Sequence, residues 1–231
     1  MATRRPAKLE VYQEDHIAQD YDQRWAGSRG AARDLRKRRA LHKALAILRS
    51  HAEAQGGTWR QQLIDVPCGT GRFSDLLNRE GGQVIGVDLA TPMLVEAKAK
   101  HPKATYLAAD LAKLPFADGC VDATICIRLF HLVHQPAMRV AFLRELARVG
   151  HHGLVIDYRH GRTFRSWGRR WRHRLNPAVE NAHNPMPKVI RQEIAAAGLR
   201  PLAWIPVHRA PLLSDKLLIP CVRQESAPIS S

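Results

Sequence analysis

The sequence predicts an α/β fold: a mostly parallel, doubly wound sheet with helices on both faces. Three observations carry that prediction. Short apolar runs alternate with segments of helical period from residue 61 onward. The runs are near-continuously apolar, and most are bounded by Gly, Pro or Asp turns. A strand that is apolar on both sides must be covered on both sides, and parallel strands need a helix to return the chain.

Taken in order, residues 8–25 read as an extended or short helical lead-in with interleaved acids and aromatics. Residues 31–54 have helical period. Leu41, Ala44, Leu45 and Leu48 fall at i, i+3, i+4 and i+7, with Arg36, Lys37, Arg38 and Arg39 expected on the solvent side. Gly56-Gly57 ends that helix. Residues 63–66 form a first strand closed by a Pro/Gly loop, and a helix opens from Phe73 to Asn78. Residues 84–87 form a second strand ending in Asp88, with a helix over 91–100 after it. Residues 105–108 form a third strand that ends near Asp110. Asp118-Gly119 turns into a fourth strand over 121–127, a helix covers 136–149, and residues 153–157 form a fifth strand. The expected organisation is a basic helical lead-in over 1–60, a ligand-binding core over 61–158 and a basic aromatic insertion over 159–188. A C-terminal helix and strands over 189–225 complete the sheet, and 226–231 is a tail.

At 231 residues, with 45% hydrophobic and 25% charged residues, the chain can bury one substantial core. No apolar run approaches the roughly 20 residues that span a bilayer, and no apolar stretch follows the basic N-terminus, so a cytoplasmic protein is expected. Four cysteines, none in a CxxC pair, read as free thiols, and no metal site is expected. The net charge of +15 is unevenly placed: +6 over 1–60, zero over 61–158 and +9 over 159–231. Neutral core and basic flanks suggest separate tasks, with something anionic meeting the flanks, although an arginine-rich codon bias could produce part of the excess.

The loop after the first strand carries Asp65-Val66-Pro67-Cys68-Gly69-Thr70-Gly71. A sharp turn that lets a ligand approach its backbone demands glycine. Asp88 stands 23 residues after Asp65, near the offset of a ribose-binding acid. A dinucleotide enzyme would share these two features. The acid-x-P-x-G-x-G order, the third acid Asp110 and the helical lead-in shift the balance. Together with LPFADGCVDATICIRLFHLV at 114–133, these residues resemble the class I S-adenosylmethionine-dependent methyltransferases over about residues 60–158, in the type 11, ubiquinone/menaquinone-biosynthesis-like group. The resemblance implies a Rossmann-like, mostly parallel seven-stranded sheet with S-adenosyl-L-methionine as cofactor. It further implies that Asp65, Pro67, Gly69 and Gly71 shape the amino-acid end of the pocket and that Asp88 takes the ribose. Leu89, Asp110 and Leu111 frame the adenine, and Arg128 lies beside the methyl group. Pro67 stands where the family has its first glycine, so the loop must do without that N–H.

Methyl transfer from a sulfonium is an in-line displacement that asks the protein for alignment and a dry site. A base is needed only for a weakly acidic nucleophile. His131 and His134, after the fourth strand, are the candidates, although a histidine there also serves as a wall or helix start. Tyr12 and Tyr21 either close over the pocket or pack. The signatures of base-amine and cytosine-C5 methylation are absent from the end of the fourth strand. The insertion reads RHGRTFRSWGRRWRHR at 159–174, with seven arginines and no acid. As a helix it would place Phe164, Trp167, Trp171 and Leu175 in one stripe beside Arg165, Arg169, Arg170 and Arg172. That stripe suits an anionic membrane surface, clamped phosphates or simple docking on the sheet edge. The favoured reading is methylation of a small or lipid-linked anionic acceptor near the inner membrane face. An RNA methyltransferase and a cofactor-binding regulator without turnover are the alternatives.

Overall fold

The computed structural model describes residues 14–25, 27–163, 168, 171, 172, 174, 184–208 and 214–224. Helix α1 (Asp15–Asp20) and a 3-10 turn (Tyr21–Trp25) lead into the long α2 (Gly27–Ala54). Then follow β1 (Gln62–Asp65), α3 (Ser74–Gly81), β2 (Gln83–Asp88), α4 (Thr91–Lys100), β3 (Thr105–Ala108), β4 (Val121–Cys126), α5 (Pro136–Val149) and β5 (Gly150–Arg159). The C-terminal part supplies α6 (Pro187–Ala196), β6 (Leu199–Pro201), β7 (Ile205–Pro206) and β8 (Lys216–Arg223). Pro92, Pro136 and Pro187 each stand in the first turn of their helix, where a missing N–H costs nothing.

The sheet runs β3-β2-β1-β4-β5-β8-β6, with the two-residue β7 pairing with β8 off that path. Strands β1 to β5 are parallel along that order, and β8 is antiparallel to both β5 and β6. Alternate residues build two cores. Ile64, Cys126, Leu154, Ile156 and Ile219 pack with Leu143 and Leu146 of α5 and Ile190 and Ile194 of α6. Leu63, Ala123, Ile125, Val155 and Leu218 pack with Leu41, Leu45 and Leu48 of α2 and Leu77 of α3. Burying each such side chain contributes on the order of 1.5–3 kcal/mol. The order reverses between β1 and β4, so their carboxyl ends open a crevice there.

Two details differ from the sequence reading. β5 extends through Tyr158 and Arg159, because both pair with β8 at Leu217 and Lys216. Lys37, expected in solvent, is 5% exposed and ion-paired with Asp157 at the end of β5. Position 37 lies four residues before Leu41 on the same inner stripe, so spacing outweighs side-chain type.

Candidate active site

The crevice holds a cavity of about 600 Å³ between the loops that follow β1, β2, β3 and β4. At its first end the loop 66–73 turns sharply, with Gly69 at φ +55° and Gly71 at φ +69°. A Cβ on Gly71 would stand 2.9 Å from Tyr106 Oη and 3.1 Å from Ser74 Oγ, so only glycine keeps the loop tight against β3. Asp88 ties two loops together: its carboxylate accepts from Gly69 N at 2.8 Å and from Ala90 N at 2.9 Å. Burial raises the Asp88 carboxyl pKa despite these backbone donors. Asp65 lies behind the loop, 1% exposed, and neither carboxylate oxygen has a partner. Burial, then the neighbouring Asp88, pushes it up to about 8.

The lead-in roofs this end. Ala18 of α1 packs on Ala90 and Met93. Thr70 Oγ1 donates to Asp22 at 2.7 Å, and Lys100 pairs with the same carboxylate. Arg72 stacks on Trp25, its guanidinium carbon 3.3 Å from the ring centroid, and donates to Asp34.

At the second end the charge reverses. Arg128 follows β4 in the left-handed region, φ +69°, which costs a non-glycine residue about 1–2 kcal/mol. Its guanidinium carbon sits 5.7 Å from the Tyr21 ring and 4.9 Å from Trp25, and its Nε is buried with no partner. Beside it the Lys37–Asp157 pair is buried, and Asp157 Oδ1 is unpartnered. Against the cost of burial, Lys37, then His131 and Arg159, hold the Asp157 carboxyl below its usual range. Burial, then Arg159, Arg128 and Lys37, push His131 down to about 3, with Asp157 opposing. Burial, then Lys37 and Arg159, push Lys216 down to about 8. The loop after β4 is held from behind: Arg139 donates to the carbonyls of Val133 at 2.7 Å and His134 at 3.1 Å. Glu193 of α6 grips Arg139 and accepts from Tyr158 Oη at 2.9 Å.

Pro67, Gly69, Asp88, Leu89, Asp110, Leu111 and Arg128 all line the cavity, as does Tyr21. Asp65 and Gly71 stand behind its wall. His131 and His134 do not line it: His131 is partly buried, and His134 is exposed. Arg165, Trp167, Arg169, Arg170, Phe164, Leu175 and Tyr12 lie outside the described residues. Trp171 and Arg172 are helical and exposed. Sequence reasoning gave no site role to Lys37, Arg72, Asp157 or Lys216, and it counted Arg159 within the basic insertion. Of the four without a role, only Asp157 carries a local signal, as an acid closing an apolar strand.

The residues suit a nucleoside-bearing cation. A buried carboxylate without a partner, a glycine cradle and a second acid at the end of β2 are the donor set such a ligand requires. Fold and site together resemble those of the class I S-adenosylmethionine-dependent methyltransferases. More narrowly, residues 64–156 match the family described as a methyltransferase domain. The malonyl-[acyl-carrier protein] O-methyltransferase of Pectobacterium atrosepticum is 34% identical over 149 residues, 64% of this chain and 54% of that protein. The demethylmenaquinone methyltransferase of Beutenbergia cavernae is 37% identical over 111 residues, 47% of this chain and 45% of that protein. The chain thus spans about half the length of these curated relatives. Among solved structures, magnesium protoporphyrin IX methyltransferase from Synechocystis with bound S-adenosylhomocysteine superposes with a TM-score of 0.69. The match has 19% identity and covers 93% of this chain and 100% of that one, a likeness of fold.

Proposed function

We propose that this chain transfers a methyl group from S-adenosylmethionine to a small, anionic acceptor, free or lipid-linked, by in-line displacement. The observation that carries the reading is the pair of acids at the ends of β1 and β2: Asp65, buried and unpartnered, and Asp88, lining the cavity. Asp65 would hold the cofactor's ammonium, and Asp88 its ribose hydroxyls. Leu89 and Leu111 would flank the adenine, Asp110 would accept from its amine, and Arg128 would stand beside the methyl group. When bound, the cofactor supplies the electrophilic methyl carbon on a sulfonium. The chain's own part is to align the acceptor and keep water out, with Tyr21 closing one side of the cavity. The relatives' names speak of a malonyl group on a carrier protein and of demethylmenaquinone, which supports a small-molecule acceptor.

Calorimetry tests the reading. S-adenosylmethionine and S-adenosylhomocysteine should bind with micromolar-order affinity, and preference for NAD would overturn it. The basic insertion is proposed to face the acceptor or an anionic membrane surface, with RNA second. Trp171 is 61% exposed, and Arg172 is exposed beside it. Among the described residues no helix is long and apolar enough to cross a membrane. Vesicles of anionic lipid and a structured RNA, offered side by side at rising salt, should separate the two.

A further inference from the structure

We propose that Arg72 and Arg128, carried by the ring of Trp25, form a binding site for a carboxylate that the acceptor keeps as a handle, separate from the atom that receives the methyl group. The inference rests on the function proposed above and deepens it, naming the acceptor's anionic group and the residues that hold it.

Trp25 joins the two ends of the cavity. Arg72 reaches it from the glycine loop, its guanidinium carbon 3.3 Å from the ring centroid, and Arg128 reaches it from beyond β4, at 4.9 Å. Both arginines line the cavity. They stand close enough for one carboxylate to meet both through N–H···O bonds of about 2.8 Å. Their donors are unevenly used. Arg72 donates from Nε at 2.7 Å and from Nη2 at 2.6 Å to one oxygen of Asp34, yet its Nη1 is buried with no partner, on a side chain only 8% exposed. Arg128 Nε is buried with no partner, and so is Trp25 Nε1. Three buried donors and no acceptor therefore surround one indole. A buried donor left unmet is costly, and two guanidiniums near one ring add repulsion. Arg128 also holds the left-handed backbone at φ +69°. Costs of this kind persist at positions kept for a ligand, and the ligand here must bring acceptors and negative charge.

The surrounding charges set how much. Arg72 and Arg38 are balanced by Asp34 and Asp75, and the further Arg79 on Asp75 is 72% exposed to solvent. Among the described residues no carboxylate pairs with Arg128. One net positive charge thus faces the cavity at this point. A monoanionic carboxylate matches it, whereas a phosphate dianion would carry one unanswered charge into a buried site. The handle is not the reacting group. Charge-assisted bonds stabilise the anion, so an oxygen gripped by guanidinium is a poor nucleophile toward the methyl carbon. The carboxylate keeps its charge through the reaction and fixes where the rest of the acceptor lies. Arg128, proposed beside the methyl group, puts the handle on the acceptor's side of the cofactor.

The test uses the whole chain loaded with S-adenosylhomocysteine, so that the cofactor's own carboxylate is already in place. Acetate, propionate and benzoate are titrated against their amides, chloride and inorganic phosphate at equal ionic strength, followed by calorimetry and by the melting temperature. At least one carboxylate should bind saturably, its amide should not, and phosphate should bind more weakly. Arg128→Gly and Arg72→Gln should each weaken that carboxylate about 10-fold or more, as loss of a charge-assisted bond implies. Arg72→Gln also breaks the pair with Asp34, so Arg128→Gly decides. Glycine accepts the backbone conformation at 128, and this variant without ligand should melt within a few degrees of wild type. No carboxylate distinguishable from its amide, preference for phosphate, or binding untouched by Arg128→Gly would overturn the inference while leaving the methyltransferase reading standing. The competing occupant is the cofactor's carboxylate, which methylthioadenosine lacks. If Arg128→Gly weakens S-adenosylhomocysteine about 10-fold or more and leaves methylthioadenosine unaffected, the site serves the cofactor and the inference falls. Failure of the wild-type chain to bind S-adenosylhomocysteine removes the reading on which the inference rests, and the inference with it.

Discussion

The two ends of the cavity are electrostatic opposites. Around the loops after β1, β2 and β3 the characteristic residues are acids: Asp65, Asp88 and Asp110. Around the ends of β4 and β5 they are bases: Arg128 lines the cavity, and Lys37, Arg159 and Lys216 stand outside its lining. The acidic end sits in one stretch, residues 65–110, where each acid closes its own strand. The basic end is assembled from positions 37, 128, 159 and 216, which meet only when the sheet forms. The acidic end is thus written locally, and the basic end is written in the fold.

That contrast accounts for what the sequence could disclose. Strand ends, glycines and a following acid have fixed spacing, so Gly69, Asp88 and Asp110 were legible as one pocket, and the resemblance to class I methyltransferases added Leu89, Leu111 and Arg128; all six line it. The helix bounds 91–100 and 136–149 were equally legible, because apolar period and an early proline agree. Lys37 was not legible. It sits in a run of four basic residues that reads as a solvated face, and its partner Asp157 lies 120 positions away. The cation cluster likewise carries no spacing that a reader of one sequence could use. His131 misleads in the opposite way: it follows β4 where a base is wanted, yet it does not line the cavity.

The comparison can be broken most severely at the basic end. Lys37→Met leaves Asp157 buried without its cation and should destabilise the chain by about 3–5 kcal/mol. Chemical denaturation followed by the tryptophans reads the loss. Replacing both partners, Lys37→Met with Asp157→Leu, should recover most of it, since an apolar pair of similar volume suits the surrounding core. If the single variant loses less than about 1 kcal/mol, the pair is not a structural link between α2 and β5.

At the acidic end, Asp88→Ala removes the acceptor that fixes Gly69 N and Ala90 N, together with the proposed ribose contacts. Charge-assisted bonds contribute roughly 1.5–3 kcal/mol each. Cofactor affinity should therefore fall about 100-fold or more, whereas methyl transfer lost through the basic end should leave binding nearly intact. Calorimetry showing equal affinity in wild type and Asp88→Ala would take Asp88 out of the site.

The smallest effect and the sharpest sign come from Asp65. Its carboxyl is held at about 8 in the fold against an ordinary value of 3.8. A raised carboxyl favours the folded state where both states are protonated, below about pH 4, and that contribution is lost as the pH climbs through the window from 3.8 to 8. At pH 7 the unpartnered carboxyl is therefore a burden, and Asp65→Asn should stabilise the ligand-free chain by roughly 1–2 kcal/mol. The proposed contact with the cofactor's ammonium needs the ionised form. Wild-type affinity should accordingly rise with pH between 6 and about 8 and then level off, with a proton released on binding below that point. Asp65→Asn should flatten the rise and bind more weakly, so stability and affinity would move in opposite directions. Calorimetry in two buffers of different ionisation enthalpy measures the released proton. No proton release at pH 7, together with an unchanged profile in Asp65→Asn, would show that this acid does not meet the ligand and that the acidic end is narrower than the three strand-end carboxylates suggest.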